Sequence, residues 1–110
     1  MTNRIALASN DGKSIDQHFA QATRFYIYDV LENSYEFIEL RTNAEVEGHD
    51  ENQFDRVLEI LKDCKAIFVA QIGPGAARYI NNKGFRTFES PYPVEKVLNR
   101  IIEKHVLEKP

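Results

Sequence analysis

The sequence predicts a three-layer α/β fold in which helices pack on one five-stranded mixed sheet. Three observations predict it: short apolar segments typical of buried strands, longer segments with amphipathic helical spacing, and an aromatic-rich pair of segments spaced as a hairpin. The chain has 110 residues, of which 43% are hydrophobic and 28% are charged. Because this length supports one hydrophobic core, we expect residues 1–110 to form a single domain.

Three strands are predicted in the first half of the chain. Residues 4–9 are almost continuously apolar, which is typical of a central strand buried on both faces. Arg24–Val30 and residues 35–40 are rich in aromatic and branched side chains, and the short turn between them indicates an antiparallel hairpin. Polar loops are predicted over residues 10–22 and 41–50.

Helices and strands alternate in the second half. Apolar residues recur at helical spacing over residues 54–64 and again over residues 94–102. Residues 66–70 and 85–88 are predicted strands, and Gly73-Pro74-Gly75 opens a short helix between them. The second half therefore supplies two crossover connections, which are right-handed in nearly all proteins.

This order of elements predicts the strand order 3-2-1-4-5 with only the second strand antiparallel, a ribonuclease-H-like topology. We call the edge where the first strand ends the upper edge and the opposite edge the lower edge. The loops 10–22 and 41–50 and the turns after the fourth and fifth strands then all lie at the upper edge. Ligands of open α/β sheets bind at the carboxyl ends of the parallel strands, which is the upper edge here.

Composition excludes several classes of partner. A net charge of −3 and a pI near 5.6 argue against non-specific nucleic-acid binding. No segment approaches the ~20 consecutive apolar residues of a membrane span, so we expect no membrane partner. The single cysteine, Cys64, cannot form an internal disulfide and indicates a reducing compartment, so a cytoplasmic protein is expected.

Two histidines are predicted at the upper edge. His18 precedes Phe19, which can enter the core, fix the loop and leave the imidazole pointing outward. An imidazole in this position can ligate iron or act as an acid or base, and it can equally be an ordinary exposed histidine. His49, from the facing loop, is either a second ligand or a bystander.

The remaining candidate residues favour structural roles. Cys64 and His105 are predicted at the lower edge, roughly 15–20 Å from His18, so Cys64 cannot share one metal ion with His18. The chain has no Cys-x-x-Cys or His-Glu-x-x-His motif, and a conventional metal site is not expected. The first strand lacks an acidic residue and Asp29, in the second, is expected to face solvent, which argues against a two-metal nuclease.

The turn formed by Gly73, Pro74 and Gly75 has two interpretations. Its backbone N–H groups can bind an anion at the start of the following helix, or it can be a sharp turn and no more. It lacks the Gly-Lys-Ser/Thr ending of a phosphate loop, and Arg78 stands where a dinucleotide fingerprint has its third glycine.

Several motifs follow one family pattern. Residues 5–9 are followed by Asp11-Gly12, by Asp16-x-His18-Phe19-Ala20-x-Ala22 and by Phe25-x-Ile27-Tyr28. Later segments follow the same pattern, namely Asp63-Cys64-Lys65-Ala66, Ile72-Gly73-Pro74-Gly75-Ala76 and Lys83-Gly84-Phe85. Over nearly its whole length the sequence thus resembles the dinitrogenase iron–molybdenum cofactor biosynthesis proteins, the family of NifX, NafY and the C-terminal part of NifB.

The resemblance implies a small carrier and not an enzyme. Members of this family, which is associated with nitrogen fixation, bind preassembled iron–sulfur or iron–molybdenum-type cofactors or their precursors. They pass this cargo between metallocluster assembly proteins. The resemblance therefore implies assembly proteins as partners, and the chain itself is expected to be a monomer or a weak homodimer.

The resemblance also implies a binding site. The histidine of the family's His-Phe-Gly motif is implicated in cofactor binding and maps onto His18, the expected metal ligand. Phe19 and Ala20 complete the motif, and Ala20 replaces the usual glycine. If that glycine lets the cluster approach the backbone or permits a positive φ, the added methyl group hinders binding. The expected cofactor-binding set also includes His49, Gly73 and Gly75.

The residues leave two alternative functions open. One is an anion- or nucleotide-binding module that uses residues 73–76. The other is a protein–protein adaptor that docks a partner through the upper-edge loops.

Overall fold

A computed structural model describes residues 3–43, 53–105 and 107. The sheet has five strands: β1 (Asn3–Ala8), β2 (Arg24–Val30), β3 (Tyr35–Thr42), β4 (Ala66–Val69) and β5 (Arg86–Glu89). Three α-helices complete the fold: α1 (Gln53–Ile60), α2 (Pro74–Asn82) and α3 (Val94–Lys104). No helix among the described residues has the length and apolar character needed to cross a membrane.

The strand order is β3-β2-β1-β4-β5. β2 is antiparallel to both of its neighbours, whereas β1, β4 and β5 are parallel. The predicted α/β fold and its strand order are therefore confirmed. β3 carries a bulge opposite the pair Ile27/Tyr28, which places Phe37 and Leu40 on the same face of the sheet.

The sheet separates two hydrophobic cores, because each of its faces is covered by helices. One core packs the face lined by Ala6, Ala8 and Ile67 against α1 and α2. The other packs the face lined by Ile5, Leu7 and Phe68 against α3. β1 and β4 are buried on both faces, which explains why their sequences are almost continuously apolar.

The structure moves the ends of most predicted strands by one or two residues and changes other elements as follows. A 3-10 helix over Phe19–Gln21 interrupts the predicted polar loop. α1 ends at Ile60, and the remaining apolar positions of the predicted helix, Leu61 and Cys64, belong to a turn closed by the bond from the Cys64 N–H to the Leu61 carbonyl. β5 begins and ends one residue later than predicted.

Candidate functional site

Ser9, a fully buried polar residue, holds the first half of the loop between β1 and β2. The Ser9 hydroxyl donates to the Ser14 carbonyl at 2.5 Å and accepts the Gly12 N–H at 2.9 Å. The Asp11 carboxylate accepts the Lys13 N–H at 2.8 Å, and this bond lowers the pKa of Asp11. These bonds hold residues 9–14 in one turn without help from secondary structure.

Gly12 is required by the same turn. Its φ of +79° lies in the left-handed region that side chains disfavour. A Cβ atom at this position would also lie 2.7 Å from Cε2 of Tyr26 on β2. The turn thus packs directly on the aromatic ring of the neighbouring strand.

The second half of the loop is bonded to the end of β4. The Ala70 N–H donates to the Gln17 carbonyl at 3.0 Å, and the Phe19 N–H donates to the Gln71 carbonyl at 2.9 Å. His18 accordingly forms a parallel bridge with Gln71. The loop therefore extends the sheet by one short parallel bridge beyond the end of β4. The bridge partner Gln71 lies only two residues before Gly73.

Phe19 anchors this segment in the core that underlies α1 and α2. Its side chain is only 2% exposed, and its ring lies 5.2 Å from that of Phe54 on α1. Phe54 in turn contacts Tyr79 of α2 at 6.3 Å between ring centroids. His18, the preceding residue, is exposed at the surface. Loop bonds on one side and an aromatic anchor on the other thus hold the imidazole outward.

Ala20 occupies ordinary backbone geometry. It lies in the 3-10 helix, is exposed, and is absent from the residues with positive φ. A glycine is therefore not needed at this position for backbone reasons in this chain. Ala20 is exposed at the surface, two residues after the exposed His18.

Gly73 and Gly75 lie at the start of α2, on the same side of the molecule as His18. Gly73 is the N-cap residue in extended conformation, without a side-chain cap, and a Cβ atom added to either glycine would meet nothing within 4 Å. The adjacent Ile72 N–H donates to the Glu89 carboxylate at 2.9 Å. This carboxylate places negative charge beside the helix start and disfavours the alternative in which residues 73–76 bind an anion.

The chain has two further histidines, His49 and His105. His49 lies outside the described residues. Within the described ranges, no group of three or more His, Cys, Asp and Glu side chains is arranged to hold a metal ion. His105 lies at the C-terminal end of α3 in left-handed conformation, with a φ of 51°.

Cys64 lies at the lower edge, as expected from the topology, and its thiol is shielded. The residue is 5% exposed, and burial, followed by the charge of Asp63, raises its thiol pKa to about 12. A thiol in this state is a poor nucleophile and a poor metal ligand near neutral pH.

A charged network that the sequence did not predict surrounds Cys64. Arg4 binds both Asp29 oxygens, at 2.7 and 3.0 Å, and also Asp63 at 3.0 Å. Arg41 binds both Asp63 oxygens, at 2.6 and 2.8 Å. The expectation that Asp29 faces solvent is wrong, because its side chain is 13% exposed and paired with Arg4. Arg41 is the main cause that lowers the pKa of Asp63 well below its usual range.

The comparisons with known proteins agree on one family. The family model described as "Dinitrogenase iron-molybdenum cofactor" matches residues 1–104. NifX of Rhodobacter capsulatus is 29% identical over 107 residues, which cover 89% of this chain and 67% of that protein. The FeMo cofactor biosynthesis protein NifB of Klebsiella pneumoniae is 33% identical over 88 residues, which cover 73% of this chain and 19% of NifB.

Solved structures share the fold. The crystal structure of PH0822 matches with a TM-score of 0.69 at 21% identity and covers 92% of this chain and 90% of that chain. Among the curated relatives, in contrast, this chain spans only a part of each protein's length, 19% for NifB.

Proposed function

Since the chain belongs to the dinitrogenase iron-molybdenum cofactor family, we propose that it binds a preassembled iron–sulfur or iron–molybdenum-type cofactor, or a precursor of one, and passes it on during metallocluster assembly. The name of the relative NifB, a FeMo cofactor biosynthesis protein, supports this setting. The single observation that carries the proposal is the exposed His18 on a loop that is fixed on both sides.

His18 is proposed as the ligand of the cluster. A neutral imidazole binds iron well, and its presentation by a rigid loop limits the entropy lost when the cargo binds. Phe19 and Ala20 hold and flank the imidazole. Gly73 and Gly75 lie at the start of α2 on the same side of the molecule, and the open space around them leaves room for a bulky cluster to approach the backbone. His49 is included in the proposal as a second imidazole.

The cysteine content supports a carrier that receives a finished cluster. Building a cubane cluster on a protein takes about four thiolates. This chain has one cysteine, and the Cys64 thiol is buried and protonated near neutral pH. A cluster held by few protein ligands is released readily, as transfer requires. We accordingly propose a carrier in the cytoplasm that is not an enzyme, with metallocluster assembly proteins as its donors and acceptors.

Cofactor uptake tests this proposal. The protein, purified without oxygen, is incubated with isolated iron–molybdenum cofactor, desalted, and assayed for bound iron and molybdenum. We expect the parent chain to retain both metals and His18→Ala to lose most of them. His105→Ala, an exposed histidine at the lower edge, is the matched control and should bind as the parent does.

Two results would contradict the proposal. One is full uptake by His18→Ala; the other is equal loss in both histidine variants. A His49→Ala variant in the same series determines whether a second imidazole contributes to retention.

A further inference from the structure

The two edge strands of the sheet differ in length and composition. β5 has four residues, whereas β3, at the other edge, has eight and contains neither lysine nor proline. Short edge strands, lysine and proline are devices by which proteins prevent an edge from pairing with another chain. Within the described part of the chain, no strand pairs with the outer side of β3. This side therefore presents a long unpaired row of backbone groups.

The hydrogen bonds of β2 determine which residues of β3 direct their backbone groups outward. Even-numbered residues of β2 bond to β1, because the Arg24 carbonyl accepts the Ser9 N–H at 3.2 Å and the ladder continues from there. Residues along an antiparallel strand alternate between bonding to one side and to the other, so the partners of these residues on β3 do not bond to β2. Four residues of β3 accordingly direct their N–H and C=O groups away from the sheet: Tyr35, Phe37, Leu40 and Thr42.

The bulge makes these four outward positions symmetric along β3. Phe37 and Leu40 pair with Tyr28 and Tyr26 on β2, although two residues separate them instead of one. The four positions are therefore arranged symmetrically about the point between residues 38 and 39. Two antiparallel copies of β3, related by a two-fold axis at this point, pair residue 35 with residue 42 and residue 37 with residue 40. No other register pairs all four positions with one another.

The side chains of β3 are complementary in the same register. On the face that carries α3, the 50% exposed Phe37 lies opposite the 40% exposed Leu40 of the second copy. On the other face, Glu36 lies opposite Arg41 of the second copy. Arg41 is held in position by two bonds to Asp63, and Glu36 forms no ion pair with any described residue. Apolar pairs and pairs of opposite charge both stabilise antiparallel strands.

The exposed ring of Phe37 is held in place by its neighbours within the chain. Its centroid lies 6.1 Å from that of Tyr26 and 5.4 Å from that of Tyr28. Tyr28 in turn contacts Tyr35 at 5.9 Å between ring centroids. Because these contacts order the ring in a single copy, little side-chain entropy is lost when a second strand packs beside it.

From this symmetry we infer that two copies of the chain form a dimer by antiparallel pairing of their β3 strands. The contact is isologous and joins the two five-stranded sheets into one sheet of ten strands. Only the eight residues of β3 from each copy pair, compared with roughly 20–30 residues a side in a standard interface, so the dimer is weak. Because the paired strands run in opposite directions, the two His18 loops lie at opposite edges of the joined sheet. Dimer formation is therefore independent of the proposed cofactor site.

Sedimentation equilibrium of the purified chain tests the dimer. We expect a monomer–dimer equilibrium, and Leu40→Lys should raise the dissociation constant by about tenfold or more, because each dimer then places two ammonium groups beside Phe37. Leu31→Lys is the matched control, since Leu31 is 38% exposed but lies outside β3, and it should leave the constant unchanged. A parent chain that stays monomeric at about 1 mM would overturn the inference. Equal constants for the parent and Leu40→Lys, or an equal rise in both variants, would also overturn it.

Disulfide formation tests the register of the pairing. When Tyr35→Cys and Thr42→Cys chains are mixed and oxidised, the two thiols lie on directly opposite residues, at about 5.5 Å between Cα atoms. Two copies of the same variant place their thiols roughly 20 Å apart, which no disulfide spans. We expect a covalent dimer in the mixture and not in either variant alone, since the native Cys64 is buried. Absence of the covalent dimer from the mixture, or equal amounts in a single variant, would overturn the inference. Circular dichroism verifies that each variant is folded.

Discussion

The upper and lower edges of the sheet both carry chemically active side chains. Those at the lower edge are paired or buried, whereas the upper edge leaves an imidazole exposed. At the lower edge, Arg4 and Arg41 satisfy the carboxylates of Asp29 and Asp63, and the thiol of Cys64 is buried. At the upper edge, the carboxylate of Asp11 and the hydroxyl of Ser9 are used to shape a loop, and the imidazole of His18 is left at the surface.

This difference separates residues that hold the fold from residues that are available to a ligand. Charged groups that are paired with each other stabilise the fold, and few of their hydrogen-bonding positions remain available to a ligand. Bonds between side chains and the backbone of a loop, in contrast, fix the loop while its neighbouring side chain stays accessible. The lower edge is thus a structural network, whereas the upper edge is a bonded loop that leaves the His18 side chain accessible.

Phe19→Ala should destabilise the protein more than any other upper-edge substitution considered below. The ring is 2% exposed and contacts Phe54, and its loss leaves a cavity in the core. We expect the free energy of unfolding to fall by about 3–5 kcal/mol, as for other buried phenylalanines. Urea denaturation measures this change, and Phe19→Leu, which retains most of the volume, should lose clearly less. Equal losses in the two variants would show that the ring does not act as the anchor.

Gly12→Ala should destabilise the same loop by about 2–3 kcal/mol, through both a positive φ and a contact with Tyr26. Gly84→Ala is the matched control, because Gly84 has a φ of +100° but no neighbour within 4 Å of an added Cβ. Its expected loss is about 1–2 kcal/mol, from the backbone alone. The difference in stability between the two variants isolates the contact with Tyr26. Thermal denaturation measures both variants. A lower stability of Gly84→Ala than of Gly12→Ala would contradict this explanation.

Asp63→Asn should weaken the lower edge by about 1–2 kcal/mol, because it removes the charge that Arg4 and Arg41 share at a partly exposed position. Glu59→Gln, at an exposed pair with Lys62, is the control and should change stability by less than about 0.5 kcal/mol.

The pH dependence provides a second test of Asp63. Its pKa is lowered in the folded state, so its contribution is present above the unfolded value of about 4 and is lost as the pH falls. The difference in unfolding free energy between parent and Asp63→Asn should therefore shrink between pH 7 and pH 3. A difference that stays constant over this range would exclude the charge as its cause.

His18→Ala should have the smallest effect on stability, within about 0.5 kcal/mol, because the imidazole is exposed and its backbone supplies the loop bonds. Chemical denaturation of the parent and the variant compares them directly. A loss of unfolding free energy near that of Gly12→Ala would show that the His18 side chain helps to hold the loop and is not simply an accessible imidazole.

The sequence predicted the fold because each strand and helix is indicated by the residue pattern of its own segment. The apolar segments of β1 and β4 and the helical spacing in α1 and α3 each indicate an element, and the chain order of those elements restricts the topology to few choices. The position of His18 followed in the same way, since its neighbour Phe19 is a large apolar residue in a polar loop.

Contacts between distant residues could not be predicted in this way. Arg4 meets Asp63 across 59 positions of sequence, and Arg41 meets Asp63 across 22. Nothing in their local sequence distinguishes them from ordinary surface charges. The symmetry of the β3 edge has the same origin, because the bulge that aligns Phe37 with Leu40 exists only in the pairing of β3 with β2.

Direct ligation of the cluster by His18 is the central claim, and pulsed electron paramagnetic resonance tests it most directly. The protein is prepared with ¹⁴N- or ¹⁵N-labelled histidine and loaded with the paramagnetic iron–molybdenum cofactor. We predict a nitrogen coupling that changes with the isotope, disappears in His18→Ala and persists in His105→Ala. An isotope-dependent coupling that persists in His18→Ala, or a loaded parent chain without one, would contradict the claim.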